Sequence, residues 1–340
     1  MLFLQSCVFN LAPGVRRFGE RCVRTFTGSL PEVRPKCSIT NVGTLDDRLH
    51  TSGITYNSLS YQFEQYKPIH FSNNKHNMYT SLRTRVTMPV IQGNKSTLRD
   101  FSKWLKGAAS WLLPRSVEDG DFPEWIQDCN STPSMKRQYM DEFKKLTSRG
   151  QYKRQCVPSA ELFRESKAKI HLKVENLLYK TPAGLKSKSG RCIFGCRPRL
   201  VVETAPWVSS FTKALKFKWG IGSPLVYAGG MTGERMGQWM DYKDYGFWYE
   251  DDVSKWDSSV AASLLRDLSN MFRMAGAPRR VYQYARQSCK TIGRTRHGIR
   301  VRADRGMKSG LPWTSIGNSL LNGFIHLFLY QRYHKLTLKQ

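Results

Sequence analysis

"SGLPWTSIGNS", residues 309–319, sets Ser309-Gly310 ahead of Thr314 and Asn318 in an S-G-x3-T-x3-N spacing. Gly310 and Pro312 suit a turn. Residues four apart on a helix share a face, so Thr314 and Asn318 point the same way once the helix begins. Taken singly, each of these residues also serves as a cap, a helix lining or a simple turn. Asp257 lies 52 residues upstream, inside "YEDDVSKWDSSV", residues 249–260. There Asp252 and Asp257 stand five apart, after a run that reads as a strand centred on "YGFWYEDD". Either these acids decorate a solvated turn, or they hold a cation and a substrate. A carboxylate at a strand end with a second one in the following turn suits a divalent ion, since magnesium takes hard oxygen ligands and needs few of them from protein.

The rest of the chain makes an acidic cluster unexpected. Its 340 residues carry 54 Lys+Arg against 26 Asp+Glu, a net charge of +28, which favours a polyanionic partner and above all nucleic acid. With 40% hydrophobic and 12% aromatic residues the chain is expected to fold, and its length calls for two or more subdomains. The eight cysteines are sparse and show no disulfide framework. Cys192 and Cys196 form a C-x3-C pair with no partner pair at ligand spacing, so free thiols are expected rather than zinc ligands. No run approaches the ~20 apolar residues of a membrane span.

Residues 164–199 hold ten Lys or Arg and two acids, with Ile170, Leu172, Val174, Leu177, Leu178, Ile193 and Phe194 threaded between them. Basic and apolar residues alternating on extended chain suit a surface packed on one side and presenting cations on the other, a phosphate-binding pattern. The stretch is expected to close on "RPRLVVE" as a strand. Further on, "SSVAASLLRDLSNMFRMAG" has helical spacing at Val260, Leu264, Leu268 and Phe272 with Gly276 as terminator, and "KTIGRTRHGIRVRADRG" reads as two short strands. In the first third, "RTRVTMPVIQG" reads as β-like. "LRDFSKWLKGAASWLL" reads as a helix, as does "SMKRQYMDEFKKLTSRG", capped by Ser134 and stopped at Gly150.

A basic stretch ending in "RPRLVV", then "DDVSKWD", then "SGLPWTSIGN" resembles motifs F, A and B of viral RNA-dependent RNA polymerases, those of tombus-like and noda-like positive-strand RNA viruses being nearest in flavour. The resemblance implies an α+β right-hand polymerase fold holding the fingers and the first half of the palm. Residues 1–245 would be fingers and N-terminal region, including the nucleotide-entry stretch 164–199. Residues 246–340 would be a partial palm carrying motifs A and B. It implies that Asp252 ligates the catalytic Mg²⁺ or Mn²⁺ and that Asp257 and Asn318 sense the ribose 2′-hydroxyl. Ser309, Gly310 and Thr314 would form the loop and helix start beside the nascent pair. Lys173 and Arg199, helped by Lys186, Lys188, Arg191 and Arg197, would hold the triphosphate.

The family pattern is not met throughout. No Gly-Asp-Asp occurs among the 340 residues, although the motif C hairpin should follow motif B within a few dozen, and 22 residues follow Asn318. The expectation is a fragment, or one half of a split enzyme inactive by itself, with the rest of the palm and the thumb on a second chain. The implied partners are RNA template and product and nucleoside triphosphates, in the host cytoplasm at a membrane-associated replication complex. The rival reading is a basic RNA-binding or capsid-type protein without an active site, which leaves the acids and the ordered S-G-x3-T-x3-N unexplained. A reverse transcriptase is the other rival, and the Asp257–Asn318 pair argues against it.

Overall fold

A computed structural model describes residues 32–33, 36–45, 51–52, 67–87, 90–91, 94–173, 176–179, 189–220, 223, 225–242 and 256–334. The strands are β1 Glu32–Val33, β2 Cys37–Thr40, β3 Thr51–Ser52, β4 Lys67–Phe71, β5 Val90–Ile91, β6 Ala168–Leu172, β7 Asn176–Tyr179, β8 Cys192–Gly195, β9 Thr291–Thr295 and β10 Arg300–Ala303. The helices are α1 Lys75–Val86, α2 Lys95–Leu112, α3 Phe122–Asp128, α4 Pro133–Ser148, α5 Ser159–Glu165, α6 Pro198–Lys218, α7 Gly233–Tyr242, α8 Trp256–Ser259, α9 Ala262–Met274, α10 Arg279–Gln287 and α11 Thr314–His334. Helix and sheet are mixed, as an α+β fold requires.

The main sheet has the order β2-β10-β9-β6-β8, with β6 and β9 parallel and the other pairs antiparallel. Period-two alternation sorts its side chains. Ile170, Leu172, Cys192, Phe194 and Val301 face inward onto Met78 and Leu82 of α1, while Lys169, Arg294, Arg300 and Arg302 face out. A smaller sheet runs β3-β4-β7.

The helical core is built on aromatic side chains. Trp207 stacks on Phe211 with ring centroids 5.0 Å apart, and Phe272 meets Trp207 edge-on at 5.4 Å. The same core takes in Leu105 of α2 and Trp313 and Phe324 near and in α11, so one packed body spans both sides of residue 245. Among the described residues no helix is long and apolar enough to cross a membrane.

Several local expectations are corrected. "RPRLVVE" does not form a strand but opens α6, with Pro198 at the first turn. Two adjacent valines favour a strand by propensity, yet Val201 and Val202 are buried as helical residues against Phe122, Ile126 and Tyr139, and packing outweighs that preference. Arg83 to Val86 end α1 rather than begin a strand, and among the described residues of that run only Val90–Ile91 is extended. Helix α4 is capped by Thr132, whose hydroxyl accepts from Met135 N–H, and Ser134 lies inside it behind Pro133. The expected strand at "YGFWYEDD" lies outside the described residues.

Candidate active site

The short helix α8 brings Asp257 to the loop that precedes α11. Backbone contacts dock the two segments: Met307 N–H donates to the Asp257 carbonyl at 2.7 Å and Gly306 N–H to that of Val260 at 3.0 Å. The Asp257 carboxylate is then held at both oxygens. Ser309 Oγ donates to Oδ2 at 2.9 Å and Asn318 Nδ2 to Oδ1 at 2.8 Å. Trp256 Nε1–H donates in turn to Asn318 Oδ1 at 3.1 Å, which orients the amide so that its NH₂ group must face Asp257.

The loop itself is locked in place. Ser309 O accepts Phe194 N–H from the edge of β8 at 2.8 Å. Gly310 sits at φ +110°, where a Cβ would lie 2.9 Å from the Phe194 carbonyl, so this position needs glycine on both counts. Cys196 Sγ donates to Gly310 O at 3.1 Å. The Thr314 hydroxyl donates to the carbonyls of Lys308 and Leu311 at 2.6 and 3.0 Å, so its side chain closes the turn. Gly317 lets α11 approach α9, since a Cβ there would meet Leu268 Cδ2 at 2.8 Å, and Asn318 is the next residue.

Lys308 lies under this loop, 3% exposed, and donates to Ser288 O. Burial lowers its ammonium to about 8. Burial also pushes the Cys192 and Cys196 thiols up to about 12, which works against thiolate ligands at either position.

Asp257 and Ser309 open onto a cavity of about 130 Å³, whose walls include Arg85, Arg191 and Arg305. Arg191 comes from the basic stretch. Arg85 and Arg305 come from regions that spacing alone gave no reason to single out. Trp256 was missed as well, although it stands next to Asp257 in "KWD".

The remaining phosphate-binding candidates separate. Lys173 follows β6, where its N–H donates to Arg191 O at 2.7 Å. Arg197 lines a groove on the outer face of the main sheet, not the Asp257 cavity. Arg199 is the clear correction. It is 7% exposed and pairs with Glu161 at 2.6 Å and Glu203 at 3.6 Å, accompanied by Gln151 at 3.2 Å. Its place on the inner side of a helix commits the guanidinium to compensating buried carboxylates, of which Glu203 also accepts from Tyr284 OH at 2.8 Å. Lys186, Lys188 and Asp252 lie outside the described residues.

A carboxylate flanked by an amide and a hydroxyl, beside a wall of guanidinium groups, can read a hydroxyl while an adjoining anion is neutralised. Residues 235–340 match the family model of viral RNA-dependent RNA polymerases. This polymerase match takes in α8, the 306–310 loop and all of α11, and therefore Asp257, Ser309 and Asn318. It starts after the basic stretch, and it supports a viral RNA polymerase in general. Comparison with individual curated proteins gives no match.

Proposed function

We propose that this chain belongs to a viral replicase carrying out template-directed RNA synthesis from ribonucleoside triphosphates, with Asp257 and Asn318 reading the ribose 2′-hydroxyl. The observation that carries the reading is the Asp257 carboxylate held between Ser309 and Asn318. A ribose hydroxyl entering there exchanges hydrogen bonds with groups already oriented, whereas a deoxyribose leaves them unpaired. Sites built in this way discriminate strongly. Arg191, Arg85 and Arg305 line the same cavity, and in this reading they would neutralise the triphosphate. Lys173, Lys186 and Lys188 are candidates for the entry path.

Both Asp257 oxygens are already engaged, so Asp257 fits sugar reading better than metal ligation. The metal, Mg²⁺ or Mn²⁺, falls to Asp252. Such an ion stabilises the attacking and leaving oxygens of phosphoryl transfer. That chemistry needs carboxylates from more than one segment, and no Gly-Asp-Asp lies within the 340 residues. A segment carrying it would complete the centre, from the same chain or another.

The test is incorporation of labelled nucleotide on an RNA template. The 340-residue chain alone is expected to be inactive with Mg²⁺ or Mn²⁺. Supplying the missing carboxylate segment should restore incorporation, and Asp252→Ala should abolish it. Robust extension by the chain alone would overturn the account of its incompleteness, and a completed assembly that never incorporates would overturn the polymerase reading.

A further inference from the structure

The outer face of the main sheet carries cations in register. Thr40 of β2 opposes Arg300 of β10, Arg300 opposes Arg294 of β9, and Arg294 opposes Lys169 of β6. Adjacent strands lie about 4.8 Å apart, so this row crosses the sheet over roughly 14 Å. Arg302 stands two residues along the same face, opposite Ser38. All four cationic side chains are exposed, and none forms an ion pair among the described residues.

Like charges set directly opposite one another across strands destabilise a sheet. A row of three adjacent cations therefore costs stability unless something anionic covers it. These residues line a groove of about 1010 Å³, to which Lys167, Arg197 and Arg296 add further charge and no Asp or Glu contributes among the described residues. The inward side chains Cys192, Phe194 and Thr291 line the Asp257 cavity, so groove and cavity lie on opposite faces of one sheet.

We propose that this outer face is a second nucleic-acid site, which binds the phosphodiester backbone of an RNA strand apart from the Asp257 cavity. The surface stands on charge and register, and the choice of RNA among polyanions rests on the polymerase reading. A membrane is a poorer fit, because of the exposed large apolar residues described, Trp111, Met135, Phe217 and Met240 lie off the groove and Phe163, at its rim, is capped by Lys167 Nζ 4.7 Å from its ring centroid. Among its described lining residues there is no Phe, Tyr or Trp and the one aromatic ring is that of His171, so phosphate contacts outweigh base stacking. Recognition through phosphates alone is independent of sequence and falls steeply with salt.

The experiment measures anisotropy of a labelled single-stranded RNA of scrambled sequence, titrated with the full 340-residue chain at several salt concentrations. The variant is Lys169→Gln/Arg294→Gln/Arg300→Gln, and the control is Arg137→Gln/Lys144→Gln/Arg149→Gln, three exposed positions off the groove. The groove variant should bind about tenfold more weakly and flatten the log–log salt slope by about 2, at roughly 0.7 for each phosphate no longer neutralised. The control should weaken far less. Equal weakening in both, or none in the groove variant, would overturn the proposal. So would unchanged RNA binding with abolished binding to phosphatidylserine vesicles, which would assign the face to a membrane. Relief of like-charge repulsion should leave the groove variant melting no lower than wild type. If it melts lower, Lys169→Gln and Arg300→Gln singly carry the test, each expected to weaken RNA binding severalfold. RNA binding and nucleotide incorporation are separate readouts, so this site and the polymerase reading fail independently.

Discussion

Asn318 Nδ2 reaches Asp257 Oδ1 at 2.8 Å across 61 residues of chain, and the indole of Trp256 fixes which end of the amide makes that contact. The amide oxygen is occupied by a donor, so the NH₂ group is the end left for the carboxylate. This arrangement ties the start of α8 to the first turns of α11.

Trp256→Phe keeps an aromatic ring and removes the N–H donor. Removing that hydrogen bond should cost about 1 kcal/mol of stability in chemical denaturation. Without that donor the amide no longer has a fixed orientation, so preference for ribonucleotide over 2′-deoxynucleotide should fall severalfold. Unchanged preference would show that Trp256 does no more than pack.

Arg199 and Arg191 separate structure from binding. Arg199→Ala takes the guanidinium away from buried Glu203, which keeps its bond from Tyr284, while Glu161 retains Arg154; breaking a buried pair costs about 3–5 kcal/mol. Burial already pushes the Glu203 carboxyl up. Arg191→Ala should weaken triphosphate binding about tenfold, the worth of one charge-assisted hydrogen bond. Calorimetry on both variants decides: equal stability with lower nucleotide affinity in Arg199→Ala would return that residue to the cavity.

The Arg199 correction marks the boundary of what the sequence could reveal. The S-G-x3-T-x3-N spacing made Ser309 and Asn318 legible, because a helix period and a glycine turn are local properties, and Asp257 joined them through the resemblance to motifs A and B. The two short strands read in "KTIGRTRHGIRVRADRG" are present as β9 and β10. Arg199 was not legible, because "RPRLVV" reads as strand by propensity and its burial depends on Glu161, Phe122 and Tyr139 from distant segments. Arg85 was invisible for the same reason: α1 brings it to the cavity only once it packs under the sheet.

Lys308 gives the protein a pH signature. Burial lowers its folded-state pKa to about 8 from 10.5, with the Cys196 and Cys289 thiols facing it and acting weakly in the opposite direction. Between those values the unfolded chain binds more protons than the folded one, so this residue's contribution to stability rises with pH there. Its penalty is fully present below about 8. Lys308→Met should therefore be more stable than wild type at neutral pH. The gain is about 3 kcal/mol from the charge, less about 1 kcal/mol for the Ser288 carbonyl left unpaired. The gap should narrow as pH rises toward the ordinary lysine value. A wild-type-minus-variant difference that stays flat with pH would show that Lys308 is not held charged in an apolar enclosure.

The central claim is that Asp257 and Asn318 read the ribose hydroxyl, and the most direct measurement is the ratio of affinities for ATP and 2′-deoxy-ATP in titration calorimetry. Wild type should favour ATP by at least about tenfold, the value of one well-made buried hydrogen bond to a charged group. Asn318→Ala should bring the ratio close to unity, chiefly by weakening ATP. A wild-type protein that binds the two equally, or an Asn318→Ala variant that keeps the full preference, would contradict the account.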